Sequence, residues 1–415
     1  MGWPQVPLQV IAVDLQPGFA CQPTEGSDGI RQLRTNNVSP EGRIDLSEVK
    51  RVPATRTQLE RYLLQSGDIL FNNTNSPALV GKTAFFGEEG RFLFSNHMTR
   101  IRVLAELAEP RYIARCLHWL WSQGAFGAHI TQWVNQAAIN RSQLASVRIP
   151  LPPLSEQHRI VEILDQADRL RCLRAEADAE ADRILPALFI EMFRDPGQAS
   201  KPVRLDEVVE IGGALVDPNK EQYLDLPHIG GENIEKGTGR ILNPQLVRES
   251  QLRSGKFHFA ERHVLYSKIR PYLNKVAFPR MAGLCSADIY PLLPRDQRIG
   301  PWFLTSLLRS EKFLAYALSQ SDRLRMPKLN QEQLGSYLLG LPEPSDLRGF
   351  ESRAEGIAVL ENKRDASRDA IARLFDMLLA EALSGSLTAS WREAHTNELV
   401  QETEQQVKAL AEARG

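Results

Sequence analysis

Apolar residues recur at alternating spacings of three and four in two long stretches of the chain. In residues 151–197 the recurring residues are Ile160, Ile163, Ala167, Leu170, Ala177, Ala181, Ile184 and Leu188. In residues 343–392 they are Ile357, Leu360, Ile371, Leu374 and Leu378. This spacing places a narrow apolar seam along one face of a helix. The pattern predicts two long helices that pack on each other; the alternative is that each helix packs on its own domain's core.

Three sequence signals mark the ends and interruptions of these helices. Ser155 follows two prolines and can accept a hydrogen bond from a free helix N–H, so we predict it as the N-cap of the first helix. Pro186 is expected to kink or end the straight part of that helix. Polar residues interrupt the seams at Arg174, Arg364 and Ser367.

The stretches that precede the helices, residues 1–150 and 198–342, are predicted to be two copies of one mixed domain. NRSQL, from Asn140, aligns with NQEQL, from Asn330, and ILFNNTNSPALVGKTAFF, from Ile69, resembles VLYSKIRPYLNKVAF, from Val264. NVSPEGRI, from Asn37, resembles NIEKGTGRI, from Asn233. DILFN, TAFF and TRIRV have the composition of strands. PRYIARCLHWLWSQGAF and GPWFLTSLLRSEKFLAYAL have the period of helices. The chain therefore repeats a domain followed by a helix.

Charge is distributed unevenly along these segments. Lys and Arg minus Asp and Glu give +3 for residues 1–150, −4 for 151–197, +5 for 198–342 and −5 for 343–415. Any contact with a polyanion is therefore expected in the two domains.

The four cysteines lack a CxxC spacing, which argues against a zinc site or a disulfide framework. With neither a signal peptide nor an 18-residue apolar run, we expect a cytoplasmic protein without membrane contact.

Two segments resemble a known family. IPLPPLSEQHRIVEILDQADRLR, followed by ALFIEMFRD, resembles the central conserved region of the specificity subunit of type I restriction–modification enzymes, and LLAEALSGSLTASWRE resembles that family's second conserved region. The second helix start, LPEPSDLRGF, departs from the pattern of the first.

The resemblance implies an α+β fold with a pseudo-two-fold internal repeat. Two mixed α/β target-recognition domains, residues 1–150 and 198–342, are joined by two long helices that form an antiparallel coiled coil. Residues 151–197 hold the central helix, residues 343–392 the C-terminal helix, and residues 393–415 a charged tail.

The resemblance also implies a non-catalytic subunit that recognises double-stranded DNA. Each domain would bind one half of a split, asymmetric site, methyltransferase subunits would dock on the helices, and motor–nuclease subunits would join them. No cofactor or metal is expected. SPALVGKT, residues 76–83, only approximates a phosphate-binding loop and precedes a strand-like TAFF. The alternatives are a coiled-coil scaffold with two protein-binding domains and a nuclease–methyltransferase fragment, the latter disfavoured because no catalytic segment is found.

Polar loops at matching places in the two domains supply the candidate DNA-binding residues. Amides and cations are the side chains that contact base edges and phosphates. Any one of them is also compatible with a turn residue or a solvated charge, and Asn140 and Asn330 with helix caps. The predicted set is Asn72, Asn73, Asn75, Gln132, Asn135, Gln136, Asn140, Lys268, Arg270, Asn274, Lys275, Arg323, Arg325, Lys328 and Asn330.

Overall fold

Both predicted long helices are present in the computed structural model, which describes residues 3–24, 28–129, 131–132, 137–193, 202–295, 298–320 and 327–412. The α-helices of these residues are Leu8–Ile11 (α1), Arg56–Tyr62 (α2), Pro110–Ser122 (α3), Arg141–Ala145 (α4), Leu154–Ala181 (α5), Ile184–Met192 (α6), Leu205–Val208 (α7), Pro301–Arg309 (α8), Glu311–Gln320 (α9), Gln331–Gly335 (α10), Pro344–Ser384 (α11), Ala389–Ala394 (α12) and Thr396–Glu412 (α13).

The chain divides into two compact units that share the long helices. The first unit is Met1–Cys172 with Asp369–Gly415, and the second is Leu173–Arg368. Each unit therefore holds one of the two globular stretches, together with part of α5 and part of α11.

Short strands build the first unit. They are Gln5–Pro7 (β1), Ala12–Pro17 (β2), Ile30–Leu33 (β3), Lys50–Val52 (β4), Ile69–Asn72 (β5), Thr74–Asn75 (β6), Thr83–Phe85 (β7), Phe92–Phe94 (β8), Met98–Val103 (β9), Thr131–Gln132 (β10), Ala137–Ala138 (β11) and Arg148–Pro150 (β12). One sheet has the order β2-β9-β5-β7, and a second has β4-β3-β8 with β3 and β8 parallel. The antiparallel pair β1–β12 joins the start of this stretch to its end.

The second unit repeats this arrangement. Its strands are Val203–Arg204 (β13), Val209–Ile211 (β14), Leu215–Val216 (β15), Pro227–Ile229 (β16), Gln245–Leu246 (β17), Lys256–Phe259 (β18), Val264–Ser267 (β19), Val276–Ala277 (β20), Gly283–Cys285 (β21), Ile289–Pro294 (β22) and Leu338–Leu339 (β23). One sheet runs β14-β22-β19-β20, a second contains the parallel pair β16–β21, and β13 pairs with β23. The predicted strands DILFN, TAFF and TRIRV are confirmed as β5, β7 and β9.

Some side-chain hydrogen bonds recur in the two units. The amide nitrogen of Asn37 donates to two loop carbonyls, and that of Asn233 does the same in the second unit. Two matching lysines bond different loop carbonyls: Lys82 donates to Val38 and Lys275 to Gly231. Each unit also contains two apolar clusters, and one of the two packs against the long helices.

The second of the two predicted domain helices is divided. GPWFLTSLLRSEKFLAYAL forms α8 and α9, because Ser310 between them has an extended backbone (φ −62°, ψ 150°). The Ser310 hydroxyl donates to the Leu307 carbonyl at 2.6 Å and accepts from the Phe313 N–H at 3.2 Å, which ends one helix and starts the next. The matching segment of the first unit is the continuous helix α3.

The first long helix begins and ends close to where the sequence predicted, but Ser155 is not its N-cap. Helix α5 begins at Leu154, and the Ser155 N–H and hydroxyl both donate to the Glu402 carboxylate. The helix stops at Ala181, just before Pro186, whose missing N–H and ring disfavour a continuous ladder.

The seam prediction is wrong at several positions. Leu170 and Leu360, expected in the seam, are 55% and 59% exposed, and Ala177 and Leu374 are exposed as well. Charged residues occupy neighbouring buried or half-buried positions instead. This is possible because they are paired: Asp168 with three arginines of the first unit, Asp178 with two of the second.

Candidate nucleic-acid interface

The polar residues after β5 lie at one corner of the first unit, but they differ in exposure. Asn72 is fully buried, and its amide nitrogen donates to the Thr35 carbonyl at 3.1 Å. A side chain in this position cannot reach a base without the corner opening. We therefore do not retain Asn72 in the interface, because its role is to hold the neighbouring loop.

Asn73 and Asn75 are half-buried and are used mainly to shape the same loop. The Asn73 amide nitrogen donates to the Thr99 hydroxyl at 3.0 Å, and the Asn75 carbonyl oxygen accepts the Ser76 N–H at 2.8 Å. Strand β6, which contains Asn75, pairs with β11, so this loop is fixed against the segment that precedes α4.

A polar cleft of about 480 Å³ beside this loop was missed by the sequence reasoning. It is lined by Phe19, Ala20, Cys21, Gln22, Gln32, Arg34, Thr35, Asn36, Ser95, Asn96 and His97. Asn36, Asn96 and His97 are exposed, and no side-chain hydrogen bond of theirs is found within the described residues. They meet because β3 and β8 pair in parallel, so both strands end at the same edge.

The two asparagines at matching places of the repeat are helix caps. The side-chain oxygen of Asn140 accepts the Gln143 N–H at 2.9 Å at the start of α4. The side-chain oxygen of Asn330 accepts the Gln333 N–H at 2.8 Å at the start of α10. Both asparagines are exposed. The capping interpretation accounts for both side chains without DNA.

In the second unit, three of the predicted residues are held by the protein's own backbone. Lys268 donates to the Ala287 carbonyl, and its ammonium lies 5.0 Å from the centre of the Tyr290 ring. Burial lowers the pKa of Lys268, and the nearby charge of Lys328 lowers it further. Lys275 donates to the Gly231 carbonyl, and the Asn274 amide to the Arg309 carbonyl at 2.9 Å.

Arg270 and Lys328 are the exposed cations of this corner. The Arg270 N–H donates to the Pro327 carbonyl at 2.8 Å, and Ile269 forms an antiparallel bridge with Lys328. The bridge is the counterpart of the β6–β11 pair in the first unit. Equivalent positions of this corner thus differ: Asn75 and His97 in the first unit stand where the second has Arg270 and the exposed Asp288.

The remaining predicted residues cannot be placed. Asn135, Gln136, Arg323 and Arg325 lie outside the described residues, and Gln132 is described by its backbone alone, in β10. For the described part of the chain, no group of His, Cys, Asp and Glu is arranged to hold a metal ion, and no helix is long and apolar enough to cross a membrane.

A second polar cluster joins distant parts of the chain at the start of α5. The carboxylate of Glu156 is buried and accepts from the Trp3 indole at 3.2 Å, the Thr388 hydroxyl at 2.6 Å and the Arg392 guanidinium at 2.8 Å. The Gln406 amide, on α13, donates to the Pro152 carbonyl at 3.0 Å. The tail that follows α11 therefore packs on the PPLSEQ segment and completes the first unit.

Comparisons with known proteins agree with this organisation. A family model described as the type I restriction modification DNA specificity domain matches residues 35–180. The type I restriction enzyme EcoDI specificity subunit of Escherichia coli is 28% identical over 298 residues, which cover 61% of this chain and 65% of that protein's length, just under two thirds.

Two solved structures support the fold. A chain from a structure on complex assembly and conformational transition of the type I R-M system covers 93% of this chain and 98% of its own length, with a TM-score of 0.52 and 20% identity. The S subunit of a type I restriction–modification system from M. genitalium covers 92% and 96%, with a TM-score of 0.52 and 12% identity. The resemblance predicted from the sequence is thus confirmed: the chain is similar to the specificity subunits of type I restriction–modification enzymes.

Proposed function

We propose that this chain is the DNA-recognition component of a type I restriction–modification complex and that each globular stretch binds one half of a split DNA site. The observation that carries this proposal is that the two domains share a strand arrangement but differ in the polar side chains at one corner. The four-stranded sheets of the two domains have matching strand orders. Equivalent positions beside them differ, with Asn75 and His97 in one domain and Arg270 and Asp288 in the other. Two readers of the same build and different side chains suit an asymmetric, bipartite target.

The two long helices are proposed to fix the distance between the half-sites. In the first unit the Arg171 guanidinium of α5 lies 4.3 Å from the centre of the Phe375 ring of α11. In the second unit Arg364 of α11 is 3.8 Å from the carboxylate of Asp178 of α5. Within the first unit, Glu156 of α5 contacts Thr388 beyond the end of α11, and Arg171 contacts Phe375, so rising residue numbers on α5 meet falling numbers there, which supports an antiparallel pair.

Length is consistent with this role. Helix α5 has 28 residues and α11 has 41. At 1.5 Å per residue they span roughly 40 and 60 Å, enough to separate two readers by about one turn of DNA, roughly 34–36 Å.

Exposed apolar residues on the same helices support docking of the methyltransferase subunits. Leu170 of α5 and Leu374 and Met377 of α11 are 44–58% exposed in the first unit. Leu173 of α5 and Val359 and Leu360 of α11 are 45–59% exposed in the second. Apolar rows on an otherwise charged helix mark contact surfaces. One patch in each unit suits two copies of a methyltransferase subunit, with the motor–nuclease subunits joining that assembly.

The chain itself is proposed to supply recognition without chemistry. The buried titratable groups serve packing: burial raises the pKa of the Cys116 and Cys285 thiols to about 12, which makes them poor nucleophiles. Methyl transfer and cleavage would belong to the partner subunits.

Methylation mapping tests the proposal. The chain would be expressed with its methyltransferase subunits in cells that lack other such systems, and the methylated sites would be sequenced. A single motif of two short halves separated by a fixed unread spacer is expected. A purified complex should also bind that duplex with an affinity that falls steeply with salt. A coiled-coil scaffold with protein-binding domains would give neither a motif nor salt-dependent DNA binding.

A further inference from the structure

The loop that follows β19 contains two residues in an unusual backbone conformation. Arg270 has φ 50° and ψ 59°, and Asn274 has φ 46° and ψ 52°, both in the left-handed region. They flank the short turn Pro271–Leu273. Side chains with a Cβ disfavour this region, and arginine has no local hydrogen bond that offsets the cost as asparagine does. Strain of this kind persists only where the surroundings enforce it, and it is concentrated at functional sites.

Several hydrogen bonds fix the loop on both sides. The Arg270 N–H donates to the Pro327 carbonyl at 2.8 Å, and the Leu329 N–H donates to the Lys268 carbonyl at 2.9 Å. At the other end, the Asn274 amide donates to the Arg309 carbonyl at 2.9 Å. These bonds fix the backbone at Arg270, so the direction in which its side chain leaves the backbone is also fixed.

The Arg270 guanidinium has no partner among the described residues. Arg270 is exposed, and among the described residues its side chain has neither an ion pair nor a hydrogen bond. The two neighbouring cations differ from it: Lys268 is anchored to a carbonyl, and Lys328 is a flexible ammonium on the adjoining bridge. Tyr272, in the same turn, is 50% exposed.

The first unit has no such feature at the equivalent place. Asn75 follows β5 as Arg270 follows β19, but its side chain accepts the Ser76 N–H at 2.8 Å. Its backbone is not left-handed, since the non-glycine residues with positive φ are Asn243, Arg270, Asn274 and Arg280 within the described chain. The strained, presented arginine is therefore a property of the second domain alone and not of the shared frame.

We propose that Arg270 reads a guanine in the half-site bound by the second domain, through the major-groove edge of that base. A guanidinium offers two parallel N–H donors, which match the O6 and N7 acceptors of guanine, and here it extends from a fixed backbone position. An ammonium lacks this paired geometry, so Lys328 is better suited to a phosphate contact. The inference rests on the proposed function and adds one base of one half-site to it.

The test compares Arg270→Gly with Arg270→Lys and Lys328→Ala in the complex with the methyltransferase subunits. Binding is measured for the mapped target and for duplexes in which each base pair of the second half-site is changed in turn. Glycine adopts positive φ without strain, so Arg270→Gly removes the guanidinium while leaving the loop at least as stable. Its thermal unfolding temperature should equal or exceed that of the wild type.

The expected result is a loss of discrimination at one G·C pair. Arg270→Gly should reduce the preference for that pair by about 5- to 140-fold, the range of one bidentate contact, with other positions unchanged. Arg270→Lys should retain part of the preference, and Lys328→Ala should weaken binding to all duplexes alike.

Two results would overturn the inference while leaving the proposed function intact. One is an equal loss of affinity for every duplex in Arg270→Gly, which would make Arg270 a phosphate contact. The other is unchanged discrimination in a folded Arg270→Gly complex, which is also what a second half-site without a G·C pair would give. A wild-type complex without sequence-specific binding would instead refute the proposed function, and the inference with it.

Discussion

The two repeated domains share polar groups that hold the backbone and differ in the residues exposed at one corner. Asn37 and Asn233 each donate to two loop carbonyls, and Asn140 and Asn330 cap equivalent helices. Beside β5 and β19, in contrast, His97 in one domain stands where the other has Asp288. Polar residues repeated in both domains therefore hold the backbone, and the unrepeated ones are the candidates for reading DNA.

One buried position also differs between the domains. His118 and Arg309 both lie eight residues after the proline that begins α3 and α8. Burial lowers the pKa of His118 to about 4, with the nearby charge of Arg115 adding to the effect. Burial lowers the pKa of Arg309 only to about 10, and its guanidinium donates to the Val276 carbonyl at 2.7 and 3.0 Å. The same place in the frame is thus neutral in one domain and charged in the other.

Domain exchange gives the largest expected effect. Replacing residues 5–150 by the equivalent domain of a known specificity subunit should change one half of the methylated motif completely and leave the other half intact. Trp3 is kept because it donates to Glu156, and the exchanged piece ends with β12 so that the β1–β12 pair moves as one. The measurement is methylation mapping, and the control is the matching exchange of residues 203–342. A change in both halves after either exchange would show that the domains do not read independently.

Lengthening the helices tests whether they set the distance between the readers. One heptad inserted after Ala177 of α5 and one after Arg368 of α11 both fall between the contact of Arg171 with Phe375 and that of Asp178 with Arg364. The double insertion keeps the helices in phase and adds about 10 Å, or roughly three base pairs, to the spacer. A single insertion should abolish methylation. If the double variant fully methylated sites with the wild-type spacer length, the helices would not set the distance between the half-sites.

Acid should destabilise the first domain through His118. Unfolded His118 binds a proton below its ordinary pKa of 6.5, whereas the folded residue stays neutral until about 4. Stability from this group is therefore complete above pH 6.5 and is lost as the pH falls towards 4, by up to about 3 kcal/mol. Urea unfolding between pH 7 and 4 should show a steep loss in the wild type and a shallower one in His118→Gln. Equal pH slopes would mean that His118 is protonated in the folded protein.

Sequence reasoning succeeded where the information was local. The strands β5, β7 and β9 follow from local composition and the two long helices from periodicity, and the repeat itself located equivalent loops. The seam was misplaced because Asp168 is paired with Arg43 and Arg115, which only the fold brings near it. Asn72 looked like a surface amide because nothing in the sequence shows that the loop at Thr35 covers it.

The polar cleft was missed for a related reason. Asn36 and Asn96 are far apart in the sequence and become neighbours only when β3 and β8 pair in parallel. Aligning the two domains does give a usable signal. The SNH segment at residues 95–97 stands where the second domain has SAD, residues 286–288, between equivalent strands.

Loss of a helix cap should lower the stability of either domain by a similar amount and leave DNA binding unchanged. Asn140→Ala and Asn330→Ala should each lower the stability of the unit concerned by about 1 kcal/mol, because one helix N–H loses its acceptor. Asn140→Ser and Asn330→Ser, which can still cap, should restore most of that loss. Thermal unfolding and binding to the mapped duplex are measured together. A change in base preference with either alanine variant would return that residue to the set of readers.

Two lysines of the second domain give the smallest and most discriminating comparison. Lys328 is exposed on the bridge beside Arg270, whereas the ammonium of Lys275 is bonded to the Gly231 carbonyl inside the frame. Lys328→Ala should reduce the slope of log affinity against log salt by about 0.9, the loss of one phosphate contact, without a change in unfolding temperature. Lys275→Ala should do the reverse, with an unchanged slope and a lower unfolding temperature, since its carbonyl partner loses a buried donor. Titrations of the mapped duplex at several salt concentrations separate the two effects. If Lys275→Ala also flattened the slope in a fully folded complex, the rule that lysines bonded to a loop carbonyl only hold the backbone would fail, and it would then be in doubt for the matching Lys82 of the first domain as well.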